Sequence, residues 1–116
     1  DFGVEEAKKL TDQTNFPWLL GNIVDAKTGE NLAGAPSTHV LNHNGVKIGV
    51  LNVCEDWTDT MPLPPENGVK VIDMITKAKE LVAELKKAEG GPPDLIIALT
   101  HSRLPTDQNF CQSVVG

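Results

Sequence analysis

Residues 94–101 read Asp94-Leu95-Ile96-Ile97-Ala98-Leu99-Thr100-His101, an uninterrupted apolar run that ends on an imidazole. A run of this length, bounded by turn residues and rich in β-branched side chains, predicts a strand covered on both faces. Upstream of it, Ile75, Ala78, Val82 and Leu85 recur at helical spacing, with Leu81 and Ala88 widening the stripe, so Asp73 to Glu89 is predicted as an amphipathic helix. Asp73 suits the N-cap, Lys86 and Lys87 the last turn, and Gly90 the C′ position, before Gly91-Pro92-Pro93 stops the helix. A helix followed by a buried strand requires parallel neighbours, which places the chain in the α/β class: a layered, mixed sheet with flanking helices.

Outward from this unit, Thr38 to His43 and Val46 to Val53 are strand-like runs joined by Asn44-Gly45, the pair that best tolerates the positive φ angles of a type I′ hairpin. Further upstream, Phe2 to Thr14 reads as a helix with Val4, Ala7 and Leu10 on one face, Asp1 as its cap and Pro17 beyond its end. Trp18 to Val24 reads as a short buried strand, with Trp18 packed in the core, and Asp25 to Pro36 as a loop. Between the hairpin and the long helix, Cys54 to Asn67 is irregular, with Pro62, Pro64 and Pro65 and one helical turn at 56–60, and Val69 to Ile72 adds a short strand. Thr106 to Val115 closes the chain as a weaker helix.

Composition narrows the function classes. With 40% hydrophobic and 22% charged residues, the 116-residue chain reads as one globular domain, residues 1–116. Its net charge is −6, and neither Lys8-Lys9 nor Lys86-Lys87 builds the basic face that a nucleic-acid partner requires. No apolar run approaches the roughly 20 residues that span a bilayer, so no membrane partner is expected. Cys54 and Cys111 are too few and too far apart for a disulfide scaffold, and such usage leans towards a reducing, cytoplasmic compartment.

His101 is the position with most chemical promise, because open α/β sheets place ligand groups in the crevice beyond the carboxyl ends of their strands, although a histidine at a strand end is more often hydrogen-bonded packing than a ligand. Arg103, two residues on, suits either a phosphate contact or a surface salt bridge. Glu55-Asp56 suits either a cation or the capping of the next turn, and Trp57, on a polar loop, either base stacking or packing. His39 and His43 are four apart, but on a strand that spacing is roughly 13 Å, too far to share a metal.

Three segments carry a family resemblance. Asp1-Phe2-Gly3 with Asn15-Phe16-Pro17-Trp18-Leu19-Leu20 and Asn22-Ile23, then Asn44-Gly45-Val46-Lys47-Ile48-Gly49, then Asp94 to His101, resemble in order the interior of the calcineurin-like metallophosphoesterases, 5′-nucleotidase-like branch. Cys54 and the Gly90-Gly91-Pro92-Pro93 loop depart from that pattern. The resemblance implies a partial catalytic domain, part of a four-layer metallophosphoesterase sandwich, and a parent that hydrolyses a small phosphate ester such as a nucleotide. It implies two divalent metal ions in that parent (Mn, Zn, Fe or similar), held by Asp, His and Asn side chains, with His101 as the one matching ligand. The family's Asp-x-His, Gly-Asp and Gly-Asn-His motifs would lie before Asp1 and its Gly-His-x-His motif after Gly116. The chain alone is therefore expected to bind no metal and to be inert, with exposed sheet edges that favour self-association or a larger assembly. The alternative is a non-enzymatic phosphoesterase-like module that serves as a binding or scaffold domain.

Overall fold

A computed structural model describes residues 3–60 and 68–114. Along the chain it contains α1 (Val4–Asp12), β1 (Ile23–Asp25), a 3-10 turn (Leu32–Gly34), β2 (Thr38–His43), β3 (Val46–Cys54), β4 (Val69–Val71), α2 (Met74–Leu85), β5 (Leu95–His101) and α3 (Leu104–Ser113). Asp1, Phe2, the three prolines of the 61–67 stretch and Val115 lie outside the described residues.

The main sheet has the order β2-β3-β5 and is mixed, as anticipated. Strands β2 and β3 pair antiparallel about Asn44-Gly45, where φ angles of 50° and 84° show the left-handed geometry that this pair accommodates. Strands β3 and β5 run parallel, in a register from Ile48 opposite Leu95 to Cys54 opposite His101. The return between them passes through α2, as a parallel connection requires. A second sheet, β1 with β4, is antiparallel and two-stranded.

The core lies where α2 meets one face of β3. Leu51 and Val53 on the strand pack with Met74, Ala78, Leu81, Val82 and Leu85 of the helix and Phe110 of α3. Asp73 caps α2 as read from the sequence, its carboxylate accepting from the Thr76 amide at 2.8 Å and the Thr76 hydroxyl at 2.7 Å. Close packing explains two glycines. A Cβ at Gly49 would lie 2.9 Å from the Pro93 ring and 3.1 Å from Leu85, and one at Gly21 would lie 1.9 Å from the Asn52 carbonyl oxygen.

Where β5 begins, the hairpin and the helix-to-strand loop interlock. The Lys47 amide donates to the Asp94 carboxylate at 2.8 Å, and the Asp94 amide to the Lys47 carbonyl at 2.8 Å. Lys47 Nζ reaches across to the Glu89 and Gly91 carbonyls. The Gly-Gly-Pro-Pro loop is thereby tied down on the sheet.

Several elements differ from their sequence reading. The strand expected at 18–24 is confined to Ile23–Asp25, because residues 18–22 run beside the sheet with Leu20 donating to the Pro36 carbonyl rather than to a strand. Trp18 is not in the core. It is 42% exposed, stacks on Phe16 and donates its indole N–H to Thr14. Helix α1 fully buries none of its residues: it lies against the 3-10 turn, and of its apolar stripe Val4 is half-buried while Ala7 and Leu10 are exposed. Helix α2 ends at Leu85, which leaves Lys86 and Lys87 beyond it, and α3 starts earlier than expected, at Leu104.

The largest correction concerns β5. It is the sheet's edge, and Leu95, Ile97 and Leu99 are 48%, 40% and 50% exposed instead of covered on both faces. The apolar run states what faces the strand requires, and among the described residues only Ile96 of β5 is half-buried, packed against the core that α2, β3 and Phe110 form.

Candidate functional site

Strands β3 and β5 end side by side, so the loops that leave them meet at the carboxyl edge of the parallel pair. His101 is the last residue of β5, exposed and opposite Cys54. The ladder continues one step further, with the Glu55 amide donating to the His101 carbonyl at 3.0 Å. The Trp57 indole N–H donates to that same carbonyl at 3.2 Å, and the indole and the His101 ring form a T-shaped pair with centroids 5.3 Å apart.

Arg103 closes the arrangement. Its backbone amide donates to Glu55 Oε2 at 2.7 Å, its Nη1 to Glu55 Oε1 at 2.6 Å, and its guanidinium carbon lies 4.3 Å from the Trp57 ring centre. Asp59 stands 3.5 Å from Nη2. Of the two roles open to Arg103, the structure shows the ion pair, formed with a loop 48 residues away. The hydrogen bond from the Arg103 amide, followed by its guanidinium, holds the Glu55 carboxyl below the usual carboxylate range, and Glu55 raises the Arg103 pKa in return. Asp56 takes the capping role: its carboxylate accepts from the Thr58 hydroxyl and amide, which lowers its pKa.

Behind this edge lies a residue that the sequence reading quotes only for the resemblance and gives no role. Asn22 is fully buried. Its amide group donates to the Cys54 carbonyl at 2.7 Å and the Ile72 carbonyl at 2.8 Å, and its Oδ1 accepts from the Cys54 amide at 2.9 Å. It joins the end of β3 to the two-stranded sheet beyond the point where β2 stops pairing. The available signal was a lone amide side chain inside an apolar stretch. Cys54 itself is a half-buried free thiol whose pKa is pushed up by burial and by the Asp56 charge, while Cys111 is exposed.

The donor set can be tested against a metal. Among the described residues no three His, Cys, Asp or Glu side chains converge. Glu55 is engaged by Arg103, and the Cys54 sulfur faces Asn22 at 3.6 Å. Neither ring nitrogen of His101 has a hydrogen-bond partner among the described residues. The imidazole therefore fits a single ligand position, and the described residues do not amount to a cage for two cations. His39 and His43 lie on β2, as the hairpin requires, and His39 lines a shallow groove with Pro17, Leu41, Val50 and Leu99 on the open face of the sheet.

No family model matches the chain. The chain is 43% identical over 94 residues to a 5′-nucleotidase of Vibrio parahaemolyticus, a match covering 80% of this chain and 16% of that protein. It is 30% identical over 111 residues to the uncharacterized metallophosphoesterase YunD of Bacillus subtilis, covering 95% of this chain and 22% of the other. The structure of the Haemophilus influenzae NAD nucleotidase NadN superposes with a TM-score of 0.70 at 23% identity, over 95% of this chain and 21% of that one. The chain thus spans only about a fifth of the length of the proteins it matches. The three quoted segments, the mixed sheet with its flanking helices, and these relatives agree: the chain belongs to the calcineurin-like metallophosphoesterase superfamily, in its 5′-nucleotidase-like branch.

Proposed function

We propose that this chain forms part of the catalytic domain of a metal-dependent phosphomonoesterase of 5′-nucleotidase type, with small phosphate esters such as nucleotides as substrates and His101 as one ligand of its metal centre. The observation that carries this reading is the exposed imidazole at the carboxyl edge of the parallel β3–β5 pair, with both ring nitrogens unengaged among the described residues. Two divalent metals, when bound, supply an acidified water and neutralise charge on the phosphoryl oxygens. The chain's own contribution is to hold one imidazole at a strand end, where the backbone is fixed by the β3 ladder. In this reading the other ligands of the metal centre belong to the rest of a longer protein, as suits a chain that spans about a fifth of its relatives, and the 116 residues alone are expected to be inert.

The test is an assay of the intact protein with Mn²⁺ and a panel of phosphomonoesters. His101→Ala is expected to lower metal-dependent turnover by about a hundredfold, at least the loss seen on removing a residue that merely supports a ligand. Undiminished turnover in that variant rules out the assignment.

A further inference from the structure

The contacts around His101 are unusually concentrated for two exposed loops. One carbonyl oxygen, that of His101, receives both the Glu55 amide and the Trp57 indole N–H. The same indole makes a T-shaped contact with the His101 ring and lies with a face under the Arg103 guanidinium. Arg103 in turn is gripped by one Glu55 carboxylate through both its backbone amide and Nη1. Each link joins the loop after β3 to the end of β5 or the two residues that follow it.

Fold stability is a poor account of this cluster. Exposed ion pairs contribute little, and the packed core lies on the face of β3 that α2 covers. Substrate contact is a poor account too. The guanidinium of Arg103 is occupied by Glu55, Asp59 and the indole, and Arg103 covers one of the two Trp57 faces on which a base could stack. An exposed imidazole, by contrast, has two free side-chain torsions, and a ligand is effective only when a supporting shell fixes its direction.

We infer that Trp57 is a positioning residue for the His101 imidazole, and that the Glu55–Arg103 pair is the clip that keeps the indole in place. The inference rests on the proposed metal-ligand role of His101. It adds that the short run Glu55-Asp56-Trp57 and the distant Arg103 act as one unit on that ring.

The experiment uses the intact, metal-free protein and two readouts besides turnover. The first is the NMR signal of the His101 ring, which the nearby indole displaces by its ring current. The second is calorimetric titration with Mn²⁺. Trp57→Leu is expected to return the His101 ring signal to the position of an unstacked histidine and to weaken Mn²⁺ binding roughly tenfold to a hundredfold, the usual range for a residue that orients a ligand. Trp57→Phe, which keeps an aromatic edge but lacks the N–H, should lose less. Glu55→Gln, which preserves shape and removes the charge, should reproduce part of the Trp57→Leu effect on both readouts, and it carries the test alone if Trp57→Leu fails to fold. An unmoved ring signal together with unchanged Mn²⁺ affinity in Trp57→Leu or Glu55→Gln overturns the inference, provided His101→Ala abolishes that affinity. If His101→Ala leaves Mn²⁺ affinity intact, the metal-ligand reading fails, and the ring signal still reports whether the indole orients the imidazole.

Discussion

Replacing Asn22 by alanine removes three hydrogen bonds at once from a fully enclosed position. The Cys54 amide, the Cys54 carbonyl and the Ile72 carbonyl each lose a partner at 2.7–2.9 Å. The side chain has zero exposure, so the backbone groups it serves do not face bulk solvent. A net contribution of about 1 kcal/mol per bond gives a loss of about 3 kcal/mol, with about 2–4 kcal/mol as the working range. That is a large part of the about 5–15 kcal/mol that typically separates folded from unfolded domains. Asn22→Asp is the sharper probe, because it keeps the size and the acceptor but turns a second oxygen towards two carbonyls. Buried, with the Cys54 amide as a donor to one oxygen only and two carbonyls facing the other, its carboxyl titrates above the ordinary range, so its penalty is full at neutral pH and eases as pH falls through that raised value. Urea denaturation of the intact protein measures both variants, and hydrogen exchange at the Cys54 amide reports the local effect. A shift below about 0.5 kcal/mol for Asn22→Ala, with the Cys54 amide still protected, would refute the idea that this side chain joins the two sheets.

Gly21→Ala should cost at least about 3 kcal/mol, since its Cβ would meet the Asn52 carbonyl at 1.9 Å and Leu81 at 2.9 Å; a thermal midpoint matching the parent contradicts the close approach. Asp73→Ala should cost about 1 kcal/mol through loss of the α2 cap. The Thr76 hydroxyl and then its amide hold the Asp73 carboxyl below its usual value. Its contribution is therefore complete above the ordinary carboxylate range and lost as pH falls through the lowered value, and Asp73→Asn should flatten the acid side of a melting profile against pH. The isolated 116-residue chain should associate as its concentration rises, through the exposed Leu95, Ile97 and Leu99 row on the edge strand, and Ile97→Lys with Leu99→Lys should reduce this. A monomer across the whole concentration range in size-exclusion chromatography contradicts it.

Local chemistry was legible in the sequence wherever a few adjacent residues decide the outcome. The Asn44-Gly45 turn, the Asp73 cap and the α2 stripe all follow from neighbours within one or two turns of chain. The parallel neighbour of β5 followed from connection geometry, and the place of His101 from the length of the run before it. What stayed illegible depends on distant partners. Trp18 reads as core by its bulk, yet nothing in residues 15–24 reveals that Phe16 and Thr14 would be its contacts. The β5 run was read as enclosed because hydrophobicity records a requirement for cover, whereas cover is supplied by other parts of a fold. Glu55 and Arg103 could be singled out one at a time, but their pairing joins two loops that only the sheet brings together.

The Lys47–Asp94 exchange of hydrogen bonds has an effect felt seven residues away. Neighbouring residues of a strand emerge on opposite sides, so sliding β5 by a single position against β3 would exchange its two sides completely. His101 would then surface on the flank now occupied by Thr100, and Ile96 would leave its hydrophobic berth. The doubly bonded pair at the start of the strand forbids that slide, and so the bearing of the imidazole is set at the far end of the strand from the imidazole itself.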